Sequence, residues 1–185
     1  MELVEIKAPQ NWNEEIKDLP GAHALQIYQW GQVKSQFGWQ THYLLWRDIS
    51  GTVTSAVLVL QRTIRPLGMN IGLSVMYAPR GPLLDWSDTP LVEKVLDDIQ
   101  DFAKQKNVIF IKIDPDLPVG TGIPGEENAE SNPTGLAVKE SLKDRGWLFS
   151  DEQIQFRNTV VIDLEEDPQA MLMRMKSKTR YNIRL

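Results

Sequence analysis

Few residues of this 185-residue chain could do chemistry. With no cysteine, thiolate nucleophiles, thiolate metal sites and disulfides are excluded. His23 and His42 are the only imidazoles, which argues against a zinc enzyme and leaves open a carboxylate-bound ion. Asp114 closes the apolar run Val108-Ile-Phe-Ile-Lys-Ile113 and precedes Pro115. Strand C-termini in α/β folds face the ligand crevice, so a carboxylate there suits a general base or an amine anchor. By pattern alone the plainer reading, a carboxylate that caps the loop, is favoured. Lys34 lies beside the apolar stripe Ile27, Trp30, Val33, Phe37. It would bind phosphate if it lines a cleft and is a solvated helix lysine otherwise; alone, the solvated reading prevails.

The end of the chain is the second chemical feature. Met171–Leu185 carries Arg174, Lys176, Lys178, Arg180 and Arg184 and no acid. The formal charge is −5, so removing these five cations leaves −10 on the rest. A cationic end on an acidic body points to an anionic partner or to a fold that continues beyond it. Asp167 and Pro168 predict the N-cap and first turn of a helix running to the end. On it Met171, Leu172, Met175, Thr179, Asn182 and Ile183 share one face, flanked by the cations. Nothing closes the pattern, which reads as a domain cut in mid-helix. A solvated surface helix and an anion-binding one stand near parity. Gly120-Thr-Gly-Ile-Pro-Gly125 spells G-x-G-x-x-G, but Pro124 lies inside it and Glu126-Glu127 follow where phosphate needs a positive helix end. A loop is the better reading. The acetyl-CoA loop Q/R-x-x-G-x-G also fails, because Leu117 stands in place of its Gln or Arg.

The elements that must position these residues follow from periodicity. An apolar content of 42% and 24% charge is ordinary for a soluble globular chain. The longest aliphatic run, Ala56–Leu60, is far too short for a bilayer span. The first residues lack signal-peptide features, and a cytoplasmic location is expected. Strands are predicted over 2–7, 41–47, 52–65, 70–77, 108–113 and 156–164, with a hairpin turn at Asp48–Gly51. Helices are predicted over 9–17, 26–37, 88–106 and 132–144, and residues 116–131 as a long surface loop. Ala78-Pro-Arg-Gly-Pro82 must be a rigid corner, and the aromatics Trp30, Trp39, Tyr43 and Trp46 read as core. Hairpins followed by β–α–β-like alternation predict an α/β (α+β) sheet with helices on its faces.

Several segments, in this order, resemble the Fem family of peptidyltransferases: Leu25-Gln-Ile-Tyr-Gln-Trp-Gly-Gln-Val-Lys34, Gly38-Trp39, Tyr77-Ala-Pro-Arg-Gly-Pro82, Phe110-Ile-Lys-Ile-Asp-Pro115 and Met175-Lys-Ser-Lys-Thr-Arg-Tyr-Asn-Ile-Arg184. The resemblance covers nearly the whole chain but only about the first half of a typical member. It implies an acetyltransferase-like domain over 1–150, with 151–185 beginning a second, incomplete one. It implies transfer of an amino acid from aminoacyl-tRNA to the stem-peptide amine of a peptidoglycan precursor, without cofactor or metal. By the same resemblance Lys34 and Arg80 would bind the precursor and Asp114 would orient or deprotonate the amine. Contact of Arg174, Lys176, Lys178 and Arg180 with tRNA phosphates is a further expectation. So are proximity to the membrane surface and inactivity of this stretch alone. Two alternatives stay open: an acyl-CoA-dependent N-acyltransferase, and a non-catalytic domain that docks RNA or an acidic partner.

Overall fold

The computed structural model describes residues 1–64, 72–123, 125–161, 165 and 167–183. The chain separates into two units, Met1–Phe149 and Ser150–Leu185. The first contains α1 (Trp12–Ile16), α2 (Tyr28–Gln36), α3 (Thr89–Gln105) and α4 (Pro133–Asp144). Its sheet has the order β1 (Glu2–Glu5), β2 (Gln40–Arg47), β3 (Val53–Thr63), β4 (Ser74–Pro79), β5 (Val108–Asp114). β1 to β4 are antiparallel neighbours, whereas β4 and β5 run parallel. A parallel pair needs a crossover rather than a hairpin, and α3 supplies it. This is a mixed α/β unit with helices on both faces of its sheet.

Covering on both faces explains why β2 and β3 are near-continuous apolar runs instead of alternating ones. On one face Leu44, Trp46, Val57, Val59, Met76 and Ala78 pack beneath Val92, Val95, Leu96 and Ile99 of α3. The Trp46 indole would be costly to bury unpaired; it donates to Asp98 Oδ2 on α3 at 2.8 Å. On the other face Tyr43, Leu45, Ala56, Leu58 and Leu60 pack with Trp12 and Ile16, edged by half-buried Tyr28, Trp30 and Trp39. Of the aromatics expected in the core, Tyr43 and Trp46 lie inside it, and Trp30 and Trp39 pack at its edge. β5 is a sheet edge: Val108, Ile111 and Ile113 pack inward, while Ile109 and Phe110 are exposed.

Local signals set the helix ends. The Asp88 side chain accepts from Leu91 N, with Pro90 in the first turn of α3. Asn132 does the same for α4 through Gly135 N. Gly38, at φ +79, follows α2 as expected of a helix-ending glycine. Within the predicted 116–131 loop, β6 (Gly120–Thr121) pairs with β7 (Glu130–Ser131). A side chain at Gly120 would meet Glu130 O at 2.6 Å, so this glycine serves a close strand approach. No helix follows Gly125, as a dinucleotide turn would require.

Two expectations are corrected. Residues 156–161, the described part of the predicted strand 156–164, form no strand. Phe156, Val160 and Val161 are at least 85% exposed, and a strand exists only where a neighbour takes its backbone bonds. The single helix predicted from Asp167 onward is two, α5 (Pro168–Arg174) and α6 (Ser177–Ile183). Met175 is extended at ψ 152 and breaks the wheel that would have aligned one apolar face. The Asp167 cap itself is present, accepting from Ala170 N at 3.0 Å. The turn expected around Pro66-Leu-Gly68, the start of the strand from Asn70, and Arg184 lie outside the described residues.

Candidate functional site

The parallel pair brings the carboxyl ends of β4 and β5 side by side, with Pro79 opposite Asp114 and Tyr77 opposite Lys112. Asp114 is half-buried. The Tyr77 hydroxyl, on the neighbouring strand, donates to its Oδ2 at 3.0 Å. A carboxylate offers about four acceptor positions, so this bond orients Asp114 and leaves others for a proton or an amine. Immediately after β4, Arg80 adopts φ 50, a left-handed conformation uncommon for a side chain of this size. Such a backbone costs on the order of 1–3 kcal/mol and persists only where its surroundings enforce it. Its guanidinium is largely buried and donates to Asp116 Oδ1 at 2.9 Å, two residues past Asp114. The strand end and the corner beside it are thus tied twice, by Tyr77–Asp114 and by Arg80–Asp116.

Beside this corner lies a cleft of about 350 Å³, lined by Arg80, Asp85, Trp86, Asp116, Asn132 and Thr134 among others. The Ser87 hydroxyl and backbone N–H hold the Asp85 carboxyl below its ordinary value, so the cleft carries a secure negative charge there. Arg80 and Asp116 form a neutral pair on the same wall.

Periodicity alone missed two residues of this region. Tyr77 reads as one more apolar strand residue, and its hydroxyl becomes relevant only through register with β5. Gln26 reads as a polar helix-start residue, yet its side chain is fully buried. The amide donates to Pro79 O at 2.5 Å and to Leu58 O at 3.3 Å, and accepts from Leu58 N at 2.6 Å. The available signal was a lone glutamine between the apolar residues Leu25 and Ile27, which suggests neither role.

Lys34 stands in the last turn of α2, half-buried, with its ammonium 4.7 Å from the Trp30 ring centroid. That is a cation–π contact, and among the described residues Lys34 has no ion-pair partner. α2 lies so close to the sheet that a side chain at Gly31 would meet the Tyr43 hydroxyl at 2.2 Å. Burial raises the Tyr43 phenol, keeping it neutral under this helix. The structure therefore gathers Asp114, Tyr77, Arg80 and Asp116, and sets Lys34 on a helix of the same unit without direct contact to them.

The basic segment belongs to the second unit. Arg174, Lys176 and Lys178 are exposed. Arg180 donates to Met173 O at 3.0 Å. In an unbroken helix that carbonyl would receive the N–H of Ser177, so the guanidinium satisfies a group that the break at Met175 leaves open.

Comparison with known proteins sets this geometry in context. Lipid II:glycine glycyltransferase of Staphylococcus saprophyticus is 26% identical over 170 residues, 92% of this chain and 38% of that protein. The Staphylococcus haemolyticus protein of the same name matches to the same extent. The chain thus spans well under half the length of these curated relatives. The crystal structure of FemX superimposes with a TM-score of 0.76 at 22% identity, covering all of this chain and 43% of FemX, a likeness of fold. The FemAB family profile matches residues 10–185, which include the α2 lysine, the β4 corner, the β5 carboxylate and the basic helices. On that match over nearly its whole length, the chain belongs to the FemAB family.

Proposed function

We propose that this chain is the N-terminal part of an aminoacyltransferase that moves an amino acid from aminoacyl-tRNA to the stem-peptide amine of a lipid-linked peptidoglycan precursor. The observation that carries the reading is the alignment of 92% of this chain with proteins named lipid II:glycine glycyltransferase. The strand-end carboxylate supports it chemically. An accepting ammonium must lose a proton before it attacks the ester carbonyl, and Asp114 is the base for that proton. A C–N bond forms, the ester C–O bond breaks, and the second proton shed by the attacking nitrogen goes to the ribose oxygen of the tRNA, which leaves as a hydroxyl. Lys34 and Arg80 hold the precursor, Lys34 as a compact cation suited to a pyrophosphate. Arg174, Lys176, Lys178 and Arg180 meet tRNA phosphates in this reading. The activity belongs to the whole protein, of which the chain is a share.

The test uses the full-length protein with charged tRNA and a lipid-linked precursor. Transfer of labelled amino acid is expected, with Asp114→Asn lowering kcat by about 10²–10⁴. Lys34→Ala is expected to raise KM for the precursor. Absence of transfer from charged tRNA, or transfer from acyl-CoA in its place, refutes the reading. Wild-type rates in both variants refute the residue roles.

A further inference from the structure

We propose that Gln26 is a positioning residue of the transfer site: its buried amide takes the place of strand pairing between β3 and β4 and thereby sets where Arg80 lies. The proposal rests on the reading of Arg80 as a precursor-binding residue.

β3 and β4 are paired from Leu60 opposite Tyr77 to Thr63 opposite Ser74. Farther along β3, Ala56 exchanges both backbone bonds with Leu83, at 3.1 and 2.8 Å. Between these two attachments the chain leaves β3 and returns, and Leu58 would face a gap. The Gln26 side chain fills it, bonding both backbone groups of Leu58 and the carbonyl of Pro79. Residues 79–82 wrap the amide so tightly that a Cβ on Gly81 would lie 2.8 Å from Nε2. Arg80 sits between the two points held this way, with its φ of 50. The Gln26 backbone carbonyl accepts from the Trp12 indole at 2.6 Å. An apolar residue at 26 could fill the volume, but it would leave three buried backbone groups without partners. The corner would then have to relax to find others, and Arg80 would move with it.

The test combines kinetics and exchange on the full-length protein. Gln26→Leu is expected to raise KM for the precursor about tenfold while leaving kcat and KM for the charged tRNA within about twofold. Arg80→Ala should add little to the KM of Gln26→Leu, because the two share one effect. Gly81→Ala, which presses on the same amide from the other side, should reproduce the KM rise and serves if Gln26→Leu does not fold. Wild-type KM in the folded variants, or an additive double variant, overturns the proposal. Hydrogen exchange separates this from the proposed function: if the unmodified protein transfers nothing, faster exchange at Leu58, Gly81 and Leu83 in Gln26→Leu still supports the pin. Unchanged protection there overturns it.

Discussion

Hydrogen bonds at single residues decide how this unit responds to acid. His42 is buried beneath α3, its Nδ1 2.8 Å from Glu5 Oε1 and its Nε2 2.8 Å from Gln61 Oε1. Gln61 in turn donates to Ser74 Oγ at 2.7 Å, so one line of polar contacts crosses β1, β2, β3 and β4. Burial acts to raise the Glu5 carboxyl, but hydrogen bonds from Lys7 and His42, together with the charges nearby including Lys106, outweigh it and hold the group below its ordinary 4.5. A depressed carboxylate stabilises the fold above its unfolded pKa and loses that contribution as pH falls through the folded one. Stability should therefore decline as pH drops below 4.5, and Glu5→Gln should flatten that decline. Urea midpoints measured from about pH 6 to about pH 3.5 check this; parallel curves for the two proteins would refute it. The same scale governs the site, where one phenol orients Asp114 and one carboxylate takes up Arg80.

At the scale of elements, α3 is the crossover that makes β4 and β5 parallel and so places Asp114 beside Pro79. Its stability follows from one cap and one apolar face. Asp88→Ala removes the acceptor for Leu91 N and should cost about 1 kcal/mol. Ile99, fully buried against the sheet, should cost about 2–5 kcal/mol when cut to Ala. Denaturant unfolding of the two variants checks the order; a cap more costly than the core residue would contradict this account of α3. The tail is the opposite case. Its cap at Asp167 was legible, but a periodicity of apolar residues carries no information about a backbone break at a residue that is neither Gly nor Pro. Helices of seven residues are too short to persist on propensity alone, so their neighbours decide where they stop.

For the whole molecule, charge is unevenly placed. Among residues 19–84 the only acid is Asp48, although the chain has 25 acids in all. The helices of the second unit add an acid-free stretch in which Lys176 and Lys178 are exposed. If that stretch meets tRNA phosphates, binding of tRNA by this chain should weaken steeply between about 50 and 200 mM salt. Replacing Lys176 and Lys178 together by Ala should reduce the log–log slope by about 1.4–1.8. Fluorescence anisotropy with labelled tRNA measures both; a salt-independent signal sinks the tRNA role of these cations. Among the described residues no helix is long and apolar enough to cross a membrane.

What the sequence by itself determined is local: the periods that separate strands from helices, the capping residues Asp88, Asn132 and Asp167, and the strand-end position of Asp114. Each depends on neighbours within a turn or two, where short-range sterics and hydrogen bonding dominate. The motifs shared with the Fem family were legible for the same reason, as short ordered strings. Only the tertiary structure decided which side chains meet. Tyr77 reaches Asp114 across 37 residues and Arg80 reaches Asp116 across 36. Gln26 reaches Leu58 and Pro79 across 32 and 53. The described part, 156–161, of the strand expected over 156–164 failed for the matching reason: its apolar residues suit a strand, but pairing depends on a distant partner, and no described residue provides one.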